Sequence, residues 1–581
     1  MRYEKQILES YKRIGYEPRD SQVEHINQVL VAFLDEGYRN VVLSAPTGTG
    51  KSIIGAVVAD VVQTIKYPTE YPGASFILTA TNALLDQYSD SFIDESNPTE
   101  NFNVIKGANN YECSALSTAE EPQSAEHCAL RIFQKSGMDD MIQTHCNGCE
   151  FQHARSMKPK TRQLITNYAY YFVDRMYSQA PMPKRAVCVF DEAHLLNDLF
   201  TEHNAIYFSE KRLKTMAEEV SAELSLGNTD VFKNLKTVRD HLIDGRINEA
   251  NHQKYLRILL ATYMQISEAA KKDAERNVRS QAKFLKLSKL SKKYHSLGCK
   301  IDDLFLFEYP SVFEYKPKDP KKGQNENEVS VKPIFIGEMF EALDNADHNL
   351  LMSATISELY AKRTMALPGT TKHIRLAPQF PKENKKVIFF KPQALNYSTM
   401  QNPDTIKKLC ATTYQIVDHH TKLGDRGIIL CPSFAVVESI AETLRLMKGG
   451  YKVFEHCRGE KLADWLERFK SYTGGPAVLL TPSGFEGVDL PGDLSRYQIV
   501  VKMPFASLGD KRIKVILDSY PDIYGLMALQ KVVQGAGRSV RSKEDHAVTY
   551  ILDTAAQRSF TSKDNEWKDE FAISFSSQLS E

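Results

Sequence analysis

The chain has 581 residues, of which 42% are hydrophobic, 25% charged and 10% aromatic; these proportions exclude disordered and fibrous classes, and the length exceeds what one hydrophobic core accommodates. Lys plus Arg number 73 and Asp plus Glu number 73, so net charge carries no nucleic-acid signature, and any strand-binding surface must come from local segregation of charge. The first twenty residues interleave charges with apolar side chains, and no later stretch is long enough to span a bilayer, which excludes a signal peptide and a membrane anchor and predicts a cytosolic chain with reduced thiols.

NVVLS (40–44) is a short apolar run rich in β-branched residues and predicts a buried strand. APTGTGKS (45–52) follows at once, and IIGAVVADVVQTI then has helical spacing. Strand, glycine loop and helix in that order predict a phosphate-binding loop of Ala45, Pro46, Thr47, Gly48, Thr49, Gly50, Lys51 and Ser52. Gly48 and Gly50 let backbone N–H groups turn inward around phosphate oxygens, Lys51 reaches the terminal phosphates, and the Ser52 hydroxyl ligates Mg²⁺. Ala45 stands where the common pattern begins with glycine. The competing reading is a chance glycine-rich turn.

Four of the nine cysteines crowd the next segment: 14 residues separate Cys113 from Cys128, 17 separate Cys128 from Cys146, and two separate Cys146 from Cys149. Four thiolates complete the coordination of zinc or of a four-iron cluster, and spacing alone does not choose between them. Unligated thiols are the third reading. The segment 107–155 is rich in Ser, Asn, Gln and acids and poorly equipped to fold by apolar burial, so bound metal would act as its staple. Cys188, Cys299, Cys410, Cys431 and Cys457 are scattered and read as small core residues.

AVCVF (186–190) predicts a second buried strand, ending in Asp191, Glu192, Ala193 and His194. Magnesium needs an acidic anchor and water needs orienting toward the γ-phosphate, roles that Asp191 and Glu192 fill at a strand's C-terminal end. The bland alternative is two acids capping the next helix. From about 202 to 333 the chain turns helical and polar; residues 271–300 hold ten Lys or Arg against two acids, while Phe284, Leu287, Leu290, Tyr294 and Leu297 recur at intervals of three and four. That pattern reads either as a packed helix with a solvated basic face or as a DNA contact. KPKDPKKGQNENEVSVK (316–332) reads as a mobile loop.

Near the C-terminus, AVLLT (477–481) predicts a strand and GFEGVDLPGD (484–493) a loop beyond it, which implies a second sheet domain. In VVQGAGRSVR (532–541), Gln534, Arg538 and Arg541 fall at intervals of four and three, near one face of a helix. Two planar guanidiniums suit a γ-phosphate, whose transition-state charge an arginine finger stabilises.

Taken together, these segments resemble the XPD and DinG branch of the superfamily 2 DNA helicases, the iron-sulfur helicases, in family order and over nearly the full length. YEPRDSQ (16–22) resembles the adenine-side motif, with Gln22 reading the base; ILTATNALLDQ (77–87) resembles the strand-contacting motif; LMSATI (351–356) resembles the coupling motif. GIILCPSF (427–434), GFEGVD (484–489) and VKMPF (501–505) resemble elements of the second motor domain. TNYAYY (166–171) occupies the place of an asparagine–histidine element, but Tyr168 and Ala169 depart from the histidines, so only Asn167 is carried over.

The resemblance implies an α/β protein of two tandem RecA-like parallel-sheet motor domains, residues 1–375 and 376–581. The first carries an iron-sulfur insertion at 107–155 and an arch-like helical insertion at 202–340. It implies ATP and Mg²⁺ at the loop, with Lys51, Asp191, Glu192, Gln534, Arg538 and Arg541 catalytic, and a [4Fe-4S] cluster on Cys113, Cys128, Cys146 and Cys149, with Zn²⁺ as runner-up. The partners are single-stranded and forked DNA, contacted near Thr81, Ser433 and Gly484, with no membrane and no protein-partner or oligomerisation motif, hence a monomer. The expected enzyme is an ATP hydrolase and DNA helicase that travels 5′-to-3′ on one strand and unwinds duplex or DNA/RNA hybrid. It would reside in the cytoplasm of a bacterial, archaeal or virus-infected cell, or in a eukaryotic nucleus. The alternatives are a translocase that strips proteins or RNA without unwinding, and a nucleic-acid-binding subunit switched by ATP.

Overall fold

The computed structural model describes all residues except 47, 68–72, 93–100, 114–116, 118–122, 126–145, 178–180, 225–229, 278–279, 338, 379, 391–394, 397, 486–487, 489, 537–538, 541–543, 562–570, 572–574 and 580–581. The chain packs as two compact units, residues 1–42, 52–351 and 362–372 in one, and 43–51, 352–361 and 373–581 in the other.

The first sheet is built by β1 (Asn40–Ser44), β2 (Gly73–Thr79), β3 (Phe102–Ile105), β4 (Gln163–Asn167) and β5 (Arg185–Asp191) before the chain leaves it. All residues of β1, β2 and β5 are buried, which is why these strands read as continuous apolar runs rather than alternating ones. After an excursion through β6 (Ile206–Ser209), β7 (Ser311–Lys316) and β8 (Glu328–Pro333), the chain returns as β9 (Ala346–Ser353) and β10 (Thr371–Arg375). The seven-stranded order is β10-β1-β9-β5-β2-β4-β3, with β5, β2, β4 and β3 parallel. Their C-terminal ends therefore share one edge, the edge at which α/β sheets bind ligands.

Four helices dominate the excursion: Glu210–Glu223, Asp230–Ile243, His252–Arg276 and Gln281–Leu306. The stripe Phe284, Leu287, Leu290 and Tyr294 is buried, Leu297 is half-buried, and Tyr294 meets Tyr263 of the preceding long helix with ring centroids 5.7 Å apart. On the basic face, Lys293 pairs with Glu219 at 2.5 Å and Lys286 pairs with Glu223. The packed-helix reading accounts for the stripe and for these two lysines.

The segment 316–332 is a connection only over 317–327; Lys316 ends β7, and 328–332 belong to β8. β7 and β8 form an antiparallel hairpin, and β6 adds a third strand on β8. Val329 and Val331 alternate inward within EVSVK and pair with Phe208 and Ile206, a period-2 signal that the flanking lysines and asparagines obscured. Two of the scattered cysteines also differ from expectation. Cys188, Cys410 and Cys431 are buried, but Cys299 is half-buried beside His295, and Cys457 is exposed just past a strand end.

The second sheet contains β11 (Lys385–Phe389), β12 (Arg426–Leu430), β13 (Lys452–Glu455), β14 (Ala477–Thr481), β15 (Tyr497–Val500), β16 (Ala547–Ile551) and β17 (Ser576–Leu579). Its order is β13-β14-β12-β15-β16-β11-β17, and every pairing is parallel. Helices Pro403–Lys422 and Phe434–Leu446 cover it through Val417, Val437, Ile440 and Leu444, packed on Ile429, Val478 and Leu480. The helix holding Gln534 is Pro521–Ala536, and Arg538 and Arg541 lie outside the described residues.

Candidate active site

Within the first unit, the end of β5 carries the acidic pair. Asp191 is 5% exposed, and its carboxylate accepts from the Tyr88 hydroxyl at 2.8 Å (Oδ2) and from the Glu192 N–H at 3.0 Å (Oδ1). The Tyr168 hydroxyl donates to the Asp191 carbonyl at 2.7 Å. Burial first, and the Asp191 charge second, push the phenols of Tyr88 and Tyr168 well above the ordinary tyrosine value, so both stay donors. Tyr168 was set aside in the sequence because it replaces a family histidine. The structure gives it a buried place beneath the acidic pair, where an aromatic ring with one polar tip fits.

Glu192 has φ 50°, ψ 44°, the left-handed region that non-glycine residues seldom adopt. Such a backbone persists only where its surroundings over-determine it, and it turns the side chain off the line of the strand. The His194 Nδ1 sits 3.4 Å from Glu192 Oε2. Ser52 stands at the second position of helix Lys51–Lys66.

Gln22 is buried, and its side-chain oxygen accepts from the Tyr11 hydroxyl and from the Arg19 N–H, both at 3.2 Å, as part of the start of helix Asp20–Leu34. Thr81 is exposed and accepts from the Leu84 N–H at 3.3 Å, capping helix Asn82–Phe92. Asn167 donates to Asn82 at 2.7 Å and accepts from the Tyr170 N–H at 2.7 Å, and Asn82 in turn donates to Asn110 at 3.1 Å. Three asparagines thus connect the ends of β4 and β2 with the entrance to the cysteine-rich segment.

In that segment Cys113 is buried, Cys146 and Cys149 are half-buried, and Cys128 lies outside the described residues. The Cys149 N–H donates to the Cys146 carbonyl at 3.3 Å just before helix Glu150–Met157. Tyr111 and Phe151 meet at 5.4 Å between centroids, which brings the segment before Cys113 beside that helix. Among the described residues, no three His, Cys, Asp or Glu side chains gather to hold a metal ion.

Within the second unit lies the body of the phosphate loop. Gly48 (φ 88°) and Gly50 (φ 76°) both occupy the left-handed region, as inward-turned N–H groups require, whereas Ala45 does not, so a methyl group is tolerated there. Ala45 is fully buried and its N–H donates to the Ser353 carbonyl at 2.9 Å. Thr49 is buried, with its hydroxyl on the Pro46 carbonyl at 2.9 Å; Thr47 lies outside the described residues. A Cβ on Gly48 would stand 2.6 Å from the Phe380 ring, an approach that sequence reasoning missed because Phe380 belongs to no motif.

Thr355 is the other residue missed by number, inside LMSATI. It is fully buried; its carbonyl accepts from Gln530 at 2.9 Å, its hydroxyl from Gln534 at 3.0 Å, and its N–H donates to Ser353 Oγ at 3.0 Å. Arg538 and Arg541 lie outside the described residues. Ser433 is exposed and caps helix Phe434–Leu446 by accepting from the Val436 N–H at 3.4 Å. Gly484 is buried, and a Cβ there would meet Leu430 at 2.6 Å, so packing alone demands glycine.

Two family models match, the type III restriction enzyme res subunit over residues 15–229 and the helicase C-terminal domain over 416–567. The chain is 22% identical to the ATP-dependent DNA helicase YoaA of Escherichia coli, covering 93% of this chain and 92% of that protein. It is 23% identical to the ATP-dependent DNA helicase DinG of Photobacterium profundum, over 94% and 95%. A solved XPD helicase superposes with a TM-score of 0.58 at 15% identity, covering 97% of this chain and all of that one; Xpd4 of S. tokodaii gives 0.54 at 13%, with the same coverage. The chain is similar along its length to DNA helicases of the YoaA and DinG kind and shares the fold of the solved XPD helicase. No described helix is long and apolar enough to cross a membrane.

Proposed function

We propose that the chain is an ATP-dependent DNA helicase, carried chiefly by one observation: a fully buried strand running into a loop with two left-handed glycines at the head of a 16-residue helix. In this reading Ala45–Ser52 cradles the phosphates, Lys51 reaches the terminal ones, and Gln22 reads the base. Glu192 orients the attacking water, and Gln534, Arg538 and Arg541 face the γ-phosphate. Ser52 and Asp191 would hold Mg²⁺, which when bound neutralises phosphate charge. Both are oxygen donors, as this ion prefers, and the Tyr88 hydroxyl donates to the Asp191 carboxylate.

The motor domains are assigned to residues 1–375 and 376–581, with insertions at 107–155 and 202–340. The chain travels 5′-to-3′ on single-stranded DNA, enters forks, opens duplex or DNA/RNA hybrid, acts as a monomer and works in the cytoplasm, or in the nucleus of a eukaryote. Thr81, Ser433 and Gly484 border the strand path. Two of these are exposed at helix starts, where backbone N–H groups suit phosphates. Cys113, Cys128, Cys146 and Cys149 would ligate a [4Fe-4S] cluster. The donor chemistry fits: four thiolates complete such a cluster, and the contact of Tyr111 with Phe151 holds the segment before Cys113 beside the helix that Cys146 and Cys149 precede.

Purified protein is expected to unwind a 5′-tailed duplex with ATP, and Lys51→Ala to abolish it. Removal of a bound protein from single strands without unwinding would replace the helicase reading by that of a translocase. Cys149→Ser is expected to lose brown colour and strand separation while keeping some ATP hydrolysis; a colourless wild-type protein with one zinc would overturn the cluster.

A further inference from the structure

Tyr88 belongs to none of the motifs, yet its hydroxyl lies at the centre of the site. Helix Asn82–Phe92 buries only Leu85 and Tyr88, so the tyrosine is on its single inward face, 4% exposed. Its phenol has one proton. That proton goes to Asp191 Oδ2 at 2.8 Å. The buried hydroxyl is thus spent on a side chain assigned to the metal, the carboxylate that ends β5.

We infer that Tyr88 is a positioning residue of the magnesium site, fixing the Asp191 carboxylate through its hydroxyl before the ion arrives. The inference rests on the metal assignment proposed above. Without that bond, Asp191 would lose its donor on Oδ2. Ordering a ligand on binding costs affinity, and partners of metal ligands typically contribute about 10- to 100-fold. A carboxylate has about four acceptor directions, so accepting from Tyr88 and Glu192 is compatible with ligating a cation.

The test is the affinity of Mn²⁺ for the full-length protein–ADP complex, read from the loss of the free-ion signal in electron paramagnetic resonance. Metal-free ADP binding is measured in parallel in chelator. Tyr88→Phe, which keeps the ring and its packing, is expected to weaken Mn²⁺ binding about tenfold while leaving metal-free ADP binding and the melting temperature unchanged. Asp191→Asn is expected to weaken Mn²⁺ further, and adding Tyr88→Phe to it to have little additional effect, because the tyrosine acts through the carboxylate. Wild-type Mn²⁺ affinity in a folded Tyr88→Phe protein overturns the inference. So does equal loss of metal-free ADP binding, which would make Tyr88 a support of the loop alone. If Asp191→Asn leaves Mn²⁺ affinity intact, the metal assignment itself falls, and Tyr88's role with it. Should the Phe variant fold poorly, Tyr88→Leu is read against the same three outcomes.

Discussion

The side-chain amide of Gln534 donates to the hydroxyl of Thr355 at 3.0 Å, while Gln530, one helical turn earlier, donates to the carbonyl of the same threonine at 2.9 Å. Thr355 is fully buried, and its N–H is held by Ser353, whose carbonyl accepts from the Ala45 N–H. A continuous polar path thus joins the first residue of the phosphate loop to the helix that precedes the arginines. Thr355→Val keeps the shape and removes the hydroxyl, withdrawing a buried partner from Gln534 at a cost of about 1–3 kcal/mol. ATP binding should persist and unwinding should slow about tenfold or more, measured by fluorescent-nucleotide titration beside single-turnover unwinding. Equal unwinding rates would refute a coupling role for this path.

Gly48 is constrained twice, by its left-handed backbone and by the Phe380 ring. Gly48→Ala should weaken nucleotide binding about tenfold or more, since the left-handed conformation alone costs a non-glycine residue about 1–2 kcal/mol. Adding Phe380→Ala should recover part of the loss, because it removes the collision and leaves the backbone strain. No recovery would mean that the ring is not what crowds the loop.

Glu192→Gln should bind ATP normally and hydrolyse it about 100-fold more slowly or worse, the usual order for removing a positioned base. Trapped nucleotide and steady-state phosphate release separate the two effects. Unimpaired hydrolysis would move the role of orienting water to another residue.

Acid should destabilise the first unit through His348. Burial first, and then the Lys66 charge, push this imidazole down to about 4. Its Nε2 lies 2.6 Å from the Lys66 ammonium and its Nδ1 3.1 Å from the Tyr38 carbonyl, so the ring is neutral with its proton on Nδ1. The unfolded chain takes up the proton near the ordinary value of about 6.5 and the folded one near 4, so stability is full above 6.5 and is lost as pH falls toward 4. Between pH 7 and 5 the loss is about 2 kcal/mol. Denaturation curves of wild type and His348→Met at both pH values should differ in slope by that amount; parallel behaviour would exclude His348 as the titrating group.

Much of the motor was legible because its signals are local. Buried parallel strands write themselves as apolar runs, and a loop that must turn its N–H groups inward writes itself as glycines. Tyr88, Gln530 and Phe380 escaped because their roles come from tertiary approach: each is an ordinary helix or linker residue until a partner distant in sequence is brought to it. Tyr168 escaped for the opposite reason, being measured against a histidine whose place it fills by a different chemistry. The hairpin at 311–333 shows the same limit, since two alternating valines become a strand only once β6 offers Ile206 and Phe208.

The left-handed backbone of Glu192 sets a direction for evolution at this position. Glycine would relax it at once, and asparagine would fit it better than glutamate does. A library screened for heat resistance alone should therefore drift toward those two residues and breed well-folded proteins that no longer turn over nucleotide. Retention of glutamate there, in the strained conformation, is the mark of selection for work over durability.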